Sequence, residues 1–161
     1  MPATVVSNTS PLFYLHCLRR FELLLQLFSR ILVPPAVVQE LEEGKQRGLS
    51  VPDVTAYSWV QRRVPADPIY LSLPPQLGKG EVEAIALAHE MPETLLLLDD
   101  LSARHAAQDL GLAMTGTLGV LLRAKEKGLI LALKPLITPL CRAGFRLGPR
   151  VERMFLDLAG E

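Results

Sequence analysis

Thr94-Leu95-Leu96-Leu97-Leu98-Asp99-Asp100 is the stretch that decides the fold. A run without polar alternation reads as a strand covered on both faces, and the acidic pair ends it. Immediately before it, Glu81–Glu90 carries Ala84, Ile85 and Ala88 at helical spacing; after it, Ser102–Leu110 reads as a helix closed by Gly111. Leu112–Thr115 is then a strand, and Leu118–Lys127 a helix closed by Gly128. Toward the amino end, Ala3–Ser7 is a short β-branched strand stopped by the turn-forming Asn8-Thr9-Ser10-Pro11. Leu12, Leu15, Leu18, Leu24, Leu25 and Phe28 recur at helical spacing, as two helices broken near Arg19-Arg20. Ile31–Val33 is a further strand, and Pro34-Pro35 opens a helix with Val37, Val38 and Leu41 that is expected to stop at Gly44. Between Leu49 and Pro75 the pattern weakens: Trp59–Val64 reads as an edge strand, and the prolines at 65, 68, 74 and 75 mark loops.

Strands alternating with helices imply an α/β fold, a three-layer α/β/α sandwich around a mainly parallel sheet of about five strands. The expected organisation is a single domain over residues 1–161, with C-terminal helices from 133 to 158. The composition, 49% hydrophobic and 21% charged, suits a folded core without disulfides or a structural metal. Seventeen basic residues balance seventeen acidic ones, which excludes binding driven by a global basic excess and leaves only local patches. Cys17 and Cys141 lack metal-ligand spacing and read as two buried thiols in a reducing compartment. Met1-Pro2-Ala3-Thr4 enters the first strand without a basic leader, and Leu129–Leu140 is short and interrupted by Lys134, Pro135 and Pro139. The expectation is a soluble, cytoplasmic protein with no membrane partner.

In parallel sheets, functional groups gather beyond the carboxyl ends of the strands. Asn8 follows the first strand, Asp99 and Asp100 the central one, and Thr115 to Thr117 the last. Glu40 lies on the helix after the second strand, and Glu81 opens the helix after Gly78-Lys79-Gly80. Clustered carboxylates raise each other's pKa unless a cation holds them, and hard oxygen donors suit Mg²⁺ or Mn²⁺. Each acid also has a plain structural alternative. Asp99 and Asp100 can end a strand, Glu81 can serve as a favourable charge at a helix N-terminus, and Glu40 with Glu42 and Glu43 can form a solvated face. The chain lacks a phosphate-loop pattern and a glycine-rich dinucleotide fingerprint, and His16, His89 and His105 are scattered.

The ordered set of motifs resembles the PIN-domain superfamily, in particular an uncharacterised prokaryotic branch related to VapC-type toxin ribonucleases. It comprises Val5-Val6-Ser7-Asn8-Thr9-Ser10-Pro11-Leu12, Val33-Pro34-Pro35-Ala36-Val37-Val38-Gln39-Glu40-Leu41, Leu77-Gly78-Lys79-Gly80-Glu81-Val82-Glu83-Ala84, Leu97-Leu98-Asp99-Asp100-Leu101-Ser102-Ala103-Arg104 and Thr115-Gly116-Thr117-Leu118-Gly119. The resemblance implies a metal-dependent endoribonuclease that hydrolyses single-stranded or structured RNA with Mg²⁺ or Mn²⁺ and a metal-activated water. It places the family's four acidic positions on Asn8, Glu40, Glu81 and Asp99, which would be both catalytic residues and metal ligands. Glu83 is a rival to Glu81, Asp100 an assistant to Asp99, and Thr9, Ser10 and Thr117 are further candidates. The resemblance also implies a homodimer, built on the apolar C-terminal helices, and an antitoxin partner. Asn8 departs from the Asp that most catalytic members carry, and a neutral amide is a weaker ligand for a hard cation. The alternative is therefore a weakly active or inactive domain that binds RNA or protein.

Overall fold

The structure, a computed structural model, describes residues 2–66 and 72–161; Met1 and the loop expected at Pro68 lie outside the described residues. Five strands, β1 (Thr4–Ser7), β2 (Ile31–Val33), β3 (Val60–Arg62), β4 (Thr94–Leu97) and β5 (Ala113–Thr115), form one sheet in the order β3-β2-β1-β4-β5. Every pairing is parallel. All residues of β1, β2 and β4 are buried, as a strand covered on both faces requires. The edge strand is shorter than the Trp59–Val64 expected, because Gln61 and Arg62 already face solvent and only Val60 is buried.

Successive side chains along each strand feed opposite layers. Val6, Leu32, Leu96 and Leu98 pack against α4 (Lys79–Glu90) and α5 (Leu101–Asp109). Val5, Ile31, Val33, Leu95 and Leu97 belong to the core shared with α1 (Thr9–Cys17), α2 (Leu23–Phe28), α3 (Pro35–Gln46), α6 (Thr117–Glu126), α7 (Lys134–Arg142) and α8 (Pro149–Leu158). Connections therefore run over one face on the way out from β1 to β3 and over the other from β3 to β5, as right-handed crossovers demand. The winding reverses between β1 and β4, where Ser7 stands opposite Leu97. A doubly wound sheet opens its crevice at that reversal, outside the carboxyl ends of the strands.

Three further expectations need correction. The cysteines are not both buried: Cys17 is half-buried and Cys141, near the end of α7, is exposed. The third helix does not stop at Gly44 but runs through it to Gln46. Gly44 is buried, and a Cβ there would approach Val51 Cγ1 to 3.3 Å, so the residue is small for packing reasons. The helix ends instead at Gly48, whose φ of 87° allows the Leu49 amide to bond the Gly44 carbonyl. The C-terminal helices also expose less apolar surface than their sequence implies. Leu133, Ile137 and Leu140 are core residues, and Leu136, Phe145 and Phe155 pack against the core. The surface that remains is Leu131, 97% exposed, and a stripe of Val151, Met154 and Leu158 along α8. Among the described residues no helix is long and apolar enough to cross a membrane.

Candidate active site

Asn8 is the first residue beyond β1. Its backbone amide donates to the Leu97 carbonyl at 3.0 Å, which extends the β1–β4 ladder by one rung and brings Asn8 beside the end of β4. It is the N-cap of α1, yet its side chain makes no capping bond. The amide oxygen Oδ1 is buried and has no partner. An unpaired buried acceptor costs about 1–3 kcal/mol, so its retention calls for a function or a ligand.

The acids around it are held by helix N-termini. A helix starts with free N–H groups and a partial positive charge, which favour a carboxylate. Glu40, on the second turn of α3, accepts from the Gly80 amide at 3.0 Å in the first turn of α4, and from Thr9 Oγ1 at 2.6 Å. Asp99 accepts twice from Thr117 at the start of α6, from the amide and from Oγ1, each at 2.7 Å. Asp100 caps its own helix α5 through the Ala103 amide at 3.0 Å, and Glu83 reaches from α4 to the Ala36 amide at the start of α3, 2.9 Å away.

Close approach of these carboxylates explains two glycines. A Cβ on Gly80 would strike the Glu40 carboxylate, and one on Gly116 would lie 2.6 Å from Asp99 Oδ1. Neither position needs left-handed backbone; each is glycine for lack of space.

Glu81 stands apart. As the third residue of α4 it turns toward the Gly78 backbone, in the manner of a capping box, while its Oε2 is buried and unpaired. Burial, then the charges of Asp100 and Glu40, push its pKa up to about 7, against the smaller pull of the Gly78 amide. Burial also raises Asp99, opposed by the two Thr117 hydrogen bonds and by Arg104. Arg104 Nη1 donates to the Leu98 carbonyl at 2.8 Å, a backbone anchor beside Asp99.

Asn8, Thr9, Glu40, Glu81, Asp99 and Thr117 thus form a row linked through the ends of β1 and β4 and the starts of α4 and α6. Ser10 makes no hydrogen bond into this row among the described residues, and Glu83 is committed to α3. Thr117 was legible only as a small hydroxyl residue after the last strand; its double bond to Asp99 makes it central. Gly80 and Gly116 had no sequence signal beyond their place in the motifs.

The donor set is oxygen only. Two of its buried oxygens, Asn8 Oδ1 and Glu81 Oε2, lack partners, and the Glu81 pKa is raised first by burial and then by the charges of Asp100 and Glu40. Among the described residues no three His, Cys, Asp or Glu side chains stand close enough to make a ready cage for a metal. The combination fits an ion such as Mg²⁺, which takes one or two carboxylates and keeps its waters, and does not fit an all-protein site.

A family model described as a PIN domain matches residues 4–161, and the chain belongs to that family. No curated protein and no solved structure matches it. PIN domains are nucleases in general, which sets the broad class of this site.

Proposed function

We propose, with membership of the PIN-domain family as the premise, that this chain is a Mg²⁺- or Mn²⁺-dependent endoribonuclease of the toxin type. The observation that carries the reading is the pair of buried, unpartnered oxygens, Asn8 Oδ1 and Glu81 Oε2, at the point where the sheet reverses its winding. Of Asn8, Glu40, Glu81 and Asp99, one or two carboxylates with the Asn8 oxygen would hold the ion directly, and the others would meet it through its waters. When bound, the ion would supply positive charge to the phosphate and acidify a water. The protein's own part is orientation: Thr9 fixes Glu40, and Thr117 fixes both oxygens of Asp99. Water supplies the nucleophile: its oxygen bonds to phosphorus and gives up a proton to solvent, as the bond to the leaving nucleotide oxygen breaks and that oxygen takes a proton from solvent. The same reading includes a homodimer and an antitoxin partner.

Asn8 favours a second reading. A neutral amide in the first ligand position weakens the hold on a dication, which suits a module that binds RNA or protein without cutting it. Cleavage of single-stranded RNA with Mn²⁺ by three proteins separates the readings. We expect weak cleavage by the wild type, a loss of at least about 100-fold in Asp99→Asn with the fold intact, and faster cleavage by Asn8→Asp. Equal rates in all three would mean that the cleavage does not arise at this site. Inactivity of all three would favour the binding module.

A further inference from the structure

Although the whole chain is neutral, its basic residues are unevenly placed: Lys134, Arg142, Arg146, Arg150 and Arg153 face a single acid, Glu152, between residues 134 and 153. Arg153 is paired with Asp157 across one helical turn at 3.0 Å. Arg142, Arg146 and Arg150 are exposed and have no ion pair among the described residues. All three bracket the turn between α7 and α8.

That turn leans on α1. The Phe145 ring meets the Tyr14 ring edge-on at 5.2 Å, Phe13 meets Tyr14 from another side at 5.3 Å, and Gly144, with φ 108°, brings the chain alongside the Tyr14 hydroxyl. Gly144 takes its positive φ as the residue that closes α7, where the Phe145 amide bonds the Leu140 carbonyl at 3.3 Å. Tyr14 is carried on the helix that Asn8 caps. At about 1.5 Å of rise per residue it stands roughly 9 Å along the axis from Asn8. Its hydroxyl has no hydrogen bond among the described residues and lies in the electrostatic field of both Asp99 and Arg146. A donor hydroxyl and an exposed guanidinium without an ion pair among the described residues therefore lie at the packing of α1 against the α7–α8 turn, two groups suited to the negative backbone of an RNA strand.

We propose that Arg146 and the Tyr14 hydroxyl form a subsite for a backbone phosphate of single-stranded RNA flanking the acidic row, with Arg142 and Arg150 extending the basic lip for the next stretch of the strand. The proposal rests on the nuclease reading for the direction of the strand, but its test does not need cleavage.

Binding of a fluorescent single-stranded RNA 12-mer is measured by anisotropy at several salt concentrations in the Asp99→Asn protein, and Arg146→Ala, Arg146→Lys and Tyr14→Phe are added to that background. Arg30→Ala, at the opposite end of the sheet, is the control. We expect Arg146→Ala to weaken binding at least about fivefold and to lower the salt slope by about 0.7, the contribution of one phosphate contact on a single strand. Arg146→Lys should keep the slope, Tyr14→Phe should weaken binding without changing it, and Arg30→Ala should change neither. Should Arg146→Ala not fold, the comparison of Arg146→Lys with Arg146→Gln carries the same test. In the cleaving protein Arg146→Ala should raise KM and leave kcat nearly unchanged. Unchanged affinity and slope in Arg146→Ala, or no binding by the Asp99→Asn parent, would overturn the subsite. Wild-type protein that fails to cut while Arg146 still governs binding would sink the nuclease reading and leave the subsite standing.

Discussion

Glu81 concentrates the electrostatic tension of the site. Its carboxyl titrates near 7 in the folded protein, because burial and the charges of Asp100 and Glu40 oppose ionisation. Unfolded, it ionises with an ordinary pKa near 4.5. Between those values the folded chain holds the extra proton, so stability is greatest below the unfolded pKa and is lost as pH rises through about 7. The side chain is partly exposed, and screening reduces the cost at high pH to about 1 kcal/mol. Glu81→Gln removes the titration. Urea unfolding should show the variant gaining about 1 kcal/mol on the wild type between pH 5 and pH 8; a difference that stays flat with pH would show that Glu81 is not strained. Asn8 is the other residue whose polarity the fold leaves unused. Its position was legible from sequence because a turn after a buried strand is a strong signal. Its orphaned oxygen was not, since that depends on how α1 starts relative to β4.

At the scale of elements, the order of strands and helices followed from buried runs, helical spacing and the glycines that close α5 and α6. The sequence failed where tertiary packing overrode a local signal. Gly44 looked like a helix stop and is a packing residue facing Val51. Glu83, weighed as a rival ligand, also bonds the start of a helix 47 residues away in sequence. No local pattern encodes such a contact. The same mechanism fixes the end of the fold. Glu161 accepts from the Leu133 amide at 2.7 Å, the Lys134 amide at 3.0 Å and Lys125 Nζ at 3.0 Å, and so secures the start of α7. These backbone bonds, with Lys125 behind them, hold its pKa down to about 2. A depressed carboxylate stabilises the fold above its unfolded pKa, near 4.5, and that contribution is lost as pH falls toward 2. Glu161→Gln should therefore lower the melting temperature at pH 7, and the gap from wild type should shrink by pH 2.5. A constant gap across that range would count against the capping role.

For the whole molecule, most of the apolar C-terminal sequence is spent inside, and the surface left over is narrow. Val151, Met154 and Leu158, spaced three and four apart on α8, present one stripe, with Leu158 62% exposed. If the homodimer forms there, Met154→Glu with Leu158→Lys should convert it to monomer in sedimentation velocity at micromolar concentration, without change in the circular dichroism spectrum. A wild type that sediments as monomer would remove the assembly proposal and leave the site untouched. The attachment of nearly every acid to a helix start also bears on how such a chain ages. Glu40, Asp99, Asp100 and Glu83 each bond the start of a helix, so the fold gives a reason to keep them that does not depend on the activity of the site. Their survival says little about whether a descendant still works. Position 8 has no such duty for its side-chain oxygen, and it is there that a change of vocation would first be written.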